Sequence, residues 1–330
     1  MEQEKKQFPR GHAFPSDHPL AGCEAKLVRA QQNLKLLDDE IGNFLDSHNE
    51  PIPRVSQLDP ETNRRVRWVI GPVDEPDLTL AAVIGDYIHD LRSTLDHLAF
   101  ELSFRDTGGV IPNRQIAFPC CHTRNEWHAK RTRAKLYGIN KSHRAMIYRA
   151  QPCYRRKDAP ASPRTVDRRR RSALADLEEF WNHDKHRTLR PVASAPFHVH
   201  GEIIDIRDCV PTGSLHLEKS IFGRPLKEGT QVFWMPVRPT GPNPEVEMDF
   251  QVAVRITFRN GLPALDTLAS LGNWVGNVIE YFAPQFEDRK ARRLWGAPRR
   301  GWIEDVPIRM RTRLYTTQRA DDHSSVPEGN

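Results

Sequence analysis

Apolar residues recur at three- and four-residue steps along residues 80–102, the longest amphipathic run in the chain. This stripe consists of Leu80, Ile84, Tyr87, Ile88, Leu91, Leu95, Leu98 and Leu102. At about 100° per residue, the spacing predicts a helix with one core-facing side. The opposite face carries Asp86, His89, Asp90, Arg92, Ser93, Asp96 and His97. Lys and Glu dominate an ordinary solvated face, so this face indicates proton or ion chemistry.

The same periodicity predicts three further helices, at about residues 23–45, 172–189 and 262–282. Between the last two, the chain is strand-like in the segments 197–207, 214–221, 230–237 and 245–258. Within the last of these segments, Phe250, Val252, Val254, Ile256 and Phe258 alternate strictly with the residues between them, which is typical of a strand with one buried face. The glycines that separate the segments favour an antiparallel sheet or a small sandwich. A further short strand is expected at residues 64–70, RRVRWVI.

These elements predict an α+β fold, a helical bundle with an antiparallel β-sheet inserted before the last core helix. The helical domain would span residues 22–190 and carry a basic insertion at 130–171. The expected remaining parts are a flexible N-terminal lead (1–21), a β-region (191–260), a returning core helix (261–283) and an Arg-rich C-terminal extension (284–330).

Length and composition limit the class of protein. A chain of 330 residues, 38% of them hydrophobic, can bury a large core in one or two domains. It has no run of 18 apolar residues to span a membrane and no apolar N-terminal segment typical of a secretory signal. The five cysteines are odd in number and lack a CxxC motif, which is typical of reduced thiols. We therefore expect a cytoplasmic protein that does not interact with membranes.

The positive charge is concentrated in one stretch. Residues 130–171 contain fifteen Lys or Arg and two Asp, so the remainder of the chain is net negative although the whole carries +6. The stretch ends in Arg168, Arg169, Arg170 and Arg171, which we expect to contact nucleic acid. Aromatic residues that would stack on bases are not interleaved with the cations in the sequence. A solvated insertion without a partner is the alternative.

The polar face of residues 80–102 contains a candidate catalytic pair, Arg92 and His97. Five positions apart on a helix, they differ by about 140° and both can lean over the polar face, with Asp96 and His89 between them. A histidine can act as general acid or base near neutral pH, and an arginine can stabilise charge on a phosphate. The arrangement suits cleavage of a phosphodiester. The alternative is that Arg92 and Asp96, one turn apart, form a salt bridge on a structural helix.

A second polar segment, residues 182–189, lies on the helix expected at 172–189. Asp184 falls within the apolar stripe of that helix, where a carboxylate is costly unless it is paired. We predict that Asp184 pairs with Arg92 or His97, and that Asn182 and His186 support the same site.

The R-x4-H spacing of Arg92 and His97 on a core helix resembles the HEPN superfamily (higher eukaryote and prokaryote nucleotide-binding domains), over about residues 77–102. The resemblance implies a metal-independent ribonuclease or nucleotide-handling protein of a defence or toxin system, acting as a homodimer on RNA or another phosphate-bearing ligand. It implies Arg92 and His97 as the active pair and no cofactor. Ser93 departs from the family, which prefers Asn, Asp or His after the arginine, and the β-region lies outside the family's core.

The chain is also similar to a group of uncharacterised bacterial proteins that share an LRSxLDHL helix and an NxDKHRxL helix end. These motifs stand here as LRSTLDHL at residues 91–98 and NHDKHRTL at residues 182–189. The resemblance implies that the two polar segments form one site, but it implies no activity.

Two other chemistries are less well supported by the residues. His89, Asp96, His97, His183, Asp184 and His186 could ligate a metal, although a network of His and Asp hydrogen bonds explains them more simply, so no metal is expected. Cys120-Cys121-His122 suggests a thiol nucleophile but lacks an acidic residue to orient the histidine. Two functions therefore stay open, the HEPN-like ribonuclease and a non-catalytic nucleic-acid- or protein-binding protein in which the polar face is structural. Burial of His97 among partners would favour the second.

Overall fold

Seven α-helices and nine β-strands make up the described part of the chain, and the fold is α+β. The computed structural model describes residues 14–47, 54–59, 64–72, 75–111, 114–154, 173–186, 189, 191–194, 199–222, 224–258, 260–287 and 313–315. The helices are α1 (Ala21–Ser47), α2 (Leu78–Asp106), α3 (Arg124–His128), α4 (Lys130–Lys135), α5 (Lys141–Arg149), α6 (Ala173–His186) and α7 (Ala264–Phe282).

The described residues form two compact units, one helical and one built from strands. The helical unit contains the described residues that fall within 1–41, 77–190 and 264–309. The strand unit contains the described residues that fall within 42–76, 191–263 and 310–330, and so it includes a pair of antiparallel strands that precedes α2. None of the described helices is both long and apolar enough to cross a membrane.

Helix α2 is the central element of the helical unit. Its predicted apolar stripe is confirmed, since Tyr87, Leu91, Leu95 and Leu98 have no exposed surface. The helix begins at Leu78 because Asp77 caps it, with the Asp77 side chain accepting the Thr79 N–H at 3.0 Å. It packs against α6 and α7, and the buried Tyr87 hydroxyl donates to the Leu268 carbonyl of α7 at 2.7 Å.

The first half of the basic stretch forms helices α4 and α5, preceded by α3. Leu136 and Ile147 anchor these short helices by burial. At the start of α5, the His143 ring lies 2.8 Å from the Asp106 carboxylate at the end of α2, and both side chains are buried. The helices are thus fastened to the core, whereas Arg168, Arg169, Arg170 and Arg171 lie outside the described residues.

The strand unit contains two antiparallel sheets. Their strands are β1 (Arg54–Leu58), β2 (Arg65–Ile70), β3 (Val192–Ser194), β4 (Val199–Arg207), β5 (Cys209–Pro211), β6 (His216–Leu217), β7 (Gln231–Pro239), β8 (Glu245–Thr257) and β9 (Arg313–Tyr315). One sheet has the order β1-β2-β7-β5, with β6 also paired to β7. The other has the order β3-β8-β4, with β9 also paired to β8. The strands expected at residues 64–70 and 245–258 are confirmed as β2 and β8, whereas β1 has no counterpart among the predicted strands.

Candidate functional site

The guanidinium of Arg92 is buried, with only 3% of its side chain exposed. One of its terminal nitrogens donates to the Phe118 carbonyl at 2.6 Å and lies 3.1 Å from the Asp96 carboxylate. The other lies 3.6 Å from Glu178 of α6, close enough for an ion pair but too far for a hydrogen bond. The ring centre of Trp181 lies 5.1 Å from the guanidinium carbon, within cation–π range. Arginine stays charged in proteins, so this burial requires the partners that surround it.

Asp96 binds the backbone of Phe118 as well. Its carboxylate accepts the Phe118 backbone N–H at 2.8 Å, while Arg92 holds the carbonyl of the same residue. Burial raises the pKa of Asp96, although the charge of Arg92 and the N–H of Phe118 oppose that rise. We call Arg92, Asp96, Phe118 and Glu178 the Phe118 clamp.

His97 faces a different neighbour, helix α1. Its ring lies over Gly22, where a Cβ atom would come within 2.2 Å of the ring carbon Cε1. Its Nε2 is 3.2 Å from Glu101, and 30% of the side chain is exposed. Arg92 and His97 therefore diverge from α2 towards separate elements, although both belong to the polar face.

Further polar side-chain contacts join α1 to α2. The Lys26 ammonium donates to the Ser93 hydroxyl at 2.8 Å, and the Asn33 amide donates to Asp90 at 3.1 Å. Arg29 also lies 3.5 Å from Asp90. Residue numbers of the partners on α2 fall as those on α1 rise, so the two helices are antiparallel. Much of the polar face of α2 is thus occupied by bonds within the fold.

The other residues expected to support the site are not brought into the clamp. His89 and Asn182 are exposed, and the side chain of His186 lies outside the described part of α6. Asp184 is half-buried, with its carboxylate against Gly85 of α2, where an added Cβ would come within 2.8 Å of Oδ1.

The expected pairing of Asp184 with Arg92 or His97 is therefore wrong, and Glu178 is the acid of α6 that meets Arg92. Helices α2 and α6 run antiparallel, so a later residue of α6 meets an earlier residue of α2. Asp184 lies six positions beyond Glu178, about 9 Å along the helix axis at 1.5 Å per residue. That displacement places it beside Gly85, well before Arg92.

The described residues contain neither a metal-binding cluster nor, at Cys120, an activated thiol. Within them, no three His, Cys, Asp or Glu side chains are arranged to hold a metal ion. Cys120 lies 3.9 Å from the His122 Nε2 atom, but burial raises the pKa of its thiol to about 12. The thiol therefore stays protonated at neutral pH and is a poor nucleophile.

A second candidate surface, which we call the basic cleft, lies on helices α3 to α5. It is an open cleft of about 480 Å³ lined by Arg124, Trp127, His128, Arg133, Leu136, Lys141, Arg144, Ala145 and Tyr148. The rings of Trp127 and Tyr148 lie 5.0 Å apart with their planes inclined at 44°. Aromatic rings therefore lie beside the cations in the fold, although they are not interleaved with them in the sequence. These two rings are distant in sequence, and the fold brings them together.

The position of Asp184 generates a prediction about stability. Asp184→Asn should leave the free energy of unfolding unchanged or higher at pH 7, because the replaced charge has no partner in the clamp. Burial and the nearby Asp86 raise the pKa of Asp184 above its ordinary value of 3.8, while His183 and His89 lower it. The folded state thus binds the proton more tightly than the unfolded state. The free energy of unfolding of wild type, relative to that of Asp184→Asn, should therefore be highest below pH 3.8. It should fall as pH rises through the folded-state pKa of Asp184.

Urea unfolding of both proteins between acid and neutral pH measures this difference. The exposed Asp17→Asn is the matched control, and its stability should stay within about 0.5 kcal/mol of wild type. A loss of about 3–5 kcal/mol at pH 7 in Asp184→Asn would instead indicate a buried, paired carboxylate.

Comparison of the chain with known protein families, curated proteins and solved structures found no match. The two candidate surfaces of the chain are the polar face of α2, which is largely occupied by internal contacts, and the basic cleft of α3 to α5.

Proposed function

We propose that the chain is a non-catalytic nucleic-acid-binding protein that contacts RNA through helices α3 to α5. The observation that carries this proposal is the density of cations on those helices. Between residues 114 and 154, the chain has nine Lys or Arg and a single acid, Glu126. The exposed members of this set on the three helices are Arg124, Lys130, Arg131, Arg133, Lys135, Lys141 and Arg149.

The distribution of these charges favours a polyanionic partner. Residues outside 130–171 are net negative, so the positive charge of the chain is concentrated in this stretch. Cations that neutralise backbone phosphates release condensed counterions, and this release supplies most non-specific affinity for nucleic acid. The Glu126 carboxylate accepts the His122 N–H at 2.8 Å and does not line the basic cleft. A phosphate chain is therefore the partner that best matches this surface.

The burial of Arg92 supports binding over cleavage. With 3% of its side chain exposed, the guanidinium is unable to reach a phosphate unless the Phe118 clamp opens. Its hydrogen bond to Phe118 and its ion pairs to Asp96 and Glu178 give it a structural role. The proposal places the protein in the cytoplasm, where nucleic acid is present and the five free cysteines would stay reduced.

Salt dependence of RNA binding tests the proposal. Affinity for single-stranded RNA should fall steeply with salt, and Arg124→Ser/Arg133→Ser/Lys141→Ser should reduce the slope of log K against log salt by about 2, at about 0.7 per phosphate contact. The matched control removes three exposed cations from the strand unit, Lys219→Ser/Arg224→Ser/Lys227→Ser, and should keep the wild-type slope.

Fluorescence anisotropy with a labelled oligonucleotide at several salt concentrations measures both slopes. Absence of RNA binding at low salt would overturn the proposal. Equal loss of slope in the test and control variants would show that the attraction is not located on α3 to α5.

A HEPN-like ribonuclease is the second candidate, and it is favoured by the exposure of His97. This imidazole is 30% exposed and its Nε2 lies 3.2 Å from Glu101, an arrangement in which histidine can act as general acid or base. In this alternative, a homodimer would bring further groups to His97, because Arg92 is occupied in the clamp.

The ribonuclease candidate predicts cleavage of single-stranded RNA without metal and in the presence of a chelator. His97→Gln should abolish cleavage while the fold is kept, since the ring is partly exposed. Arg92→Ala is unsuitable for this test because the loss of a buried, paired charge is expected to cost about 3–5 kcal/mol of stability. RNA that stays intact with the wild-type protein, or equal cleavage by His97→Gln, would contradict a catalytic role for His97.

A further inference from the structure

We infer that the basic cleft holds a single-stranded RNA segment, with a base against Trp127 and Tyr148 and the neighbouring phosphates on Arg124, Arg133 and Lys141. This inference rests on the proposed function and adds the type of strand and the mode of recognition. The polar face of α2 has no part in it.

The size of the basic cleft suits a nucleotide. Its volume of about 480 Å³ falls within the roughly 300–1,000 Å³ range of small-molecule sites. It is open to solvent, as a site must be if a strand is to enter and leave at both ends. Among the described residues that line it there is no acid, so no carboxylate of the lining would repel a phosphate.

The two aromatic rings give the cleft a surface for stacking. Trp127 and Tyr148 are both half-buried, and their planes are inclined at 44°, so the two rings are not stacked parallel on each other. Tyr154 meets Tyr148 at 5.4 Å in an edge-on arrangement and braces it from outside the cleft lining. Rings that are held in place before binding lose little conformational entropy when a base stacks on them.

The cations of the cleft are placed around these rings. Arg144 is fixed by a hydrogen bond of 3.1 Å from its guanidinium to the carbonyl of Leu136, the residue that follows α4. Arg124, Arg133 and Lys141 are exposed at the cleft surface, where they can follow a phosphate chain. Aromatic faces bordered by flexible cations are the combination by which proteins bind single strands without strong sequence preference.

This combination favours a single strand over a duplex. A duplex keeps its bases stacked and paired inside the helix, so it offers the cleft only phosphates and sugars. Contacts of that kind would leave Trp127 and Tyr148 without a role. A single strand presents both the phosphate charge and an unstacked base, and so uses the whole lining.

The experiment compares binding of a labelled single-stranded RNA of about 12 nucleotides with binding of the matching duplex by fluorescence anisotropy. Trp127→Leu and Tyr148→Leu should each weaken single-strand binding by about 5- to 100-fold, the usual effect of losing one stacked base. Duplex binding should change little in either variant. Tyr137→Leu is the matched control, because Tyr137 is an exposed aromatic residue outside the cleft lining, and it should bind as wild type.

Trp127→Phe provides a measurement that does not depend on a drastic change of side chain. It keeps a ring for stacking, so single-strand affinity should stay within about 5-fold of wild type. Quenching of intrinsic tryptophan fluorescence by single-stranded RNA should be present in wild type and largely lost in Trp127→Phe. Quenching that persists in Trp127→Phe, or Leu variants that bind single strands as wild type does, would overturn the inference.

The outcomes separate the inference from the proposed function. Binding of single strand and duplex with equal affinity, and with no effect of the Leu variants, would overturn the stacking mode while RNA binding itself stands. Absence of binding to either RNA at low salt would overturn both.

Discussion

The Arg92 guanidinium has been removed from water and is surrounded by charged and polar groups of the protein. Its partners come from three separate parts of the chain: Asp96 from its own helix, the carbonyl of Phe118 from the following segment, and Glu178 from α6. An uncompensated buried charge is costly, so these parts are held together around one cation. Arg92, a candidate catalytic residue in the sequence, here connects α2 to α6 and to the segment that leads into the basic helices.

The contacts at Phe118 also help to anchor the helices that carry the basic cleft. The segment fixed at Phe118 continues to Cys121, whose N–H donates to the buried Gln151 side chain at 3.0 Å and whose carbonyl accepts the Cys153 N–H at 3.1 Å. The two ends of the segment that carries α3 to α5 are thus joined to each other. His143 and Asp106 provide a further attachment, to the end of α2. The basic cleft is therefore presented by helices anchored at several points, which is what a preformed binding surface requires.

Periodicity predicts the core stripe of α2 because burial of an amphipathic helix depends only on local spacing, as Leu91 and Leu95 illustrate. The strict alternation of β8 predicts a strand for the same reason. Partners across elements depend on how helices are displaced relative to one another, which local spacing does not contain. The place of Asp184 on its stripe predicts a contact with Arg92, yet Glu178 occupies that position. The pairing of Trp127 with Tyr148 is likewise invisible in the sequence, since its members lie on different short helices.

A double-mutant cycle on stability tests whether Arg92 is a structural cation of the Phe118 clamp. Arg92→Met, Glu178→Met and the double variant would be compared with wild type by urea unfolding. We predict that the single changes are not additive. The double variant should lose less unfolding free energy than the two single losses added together, by about 1 kcal/mol or more, as expected for residues in one buried network. Additivity within about 0.3–0.5 kcal/mol would show that Arg92 and Glu178 are not coupled, and would contradict the claim.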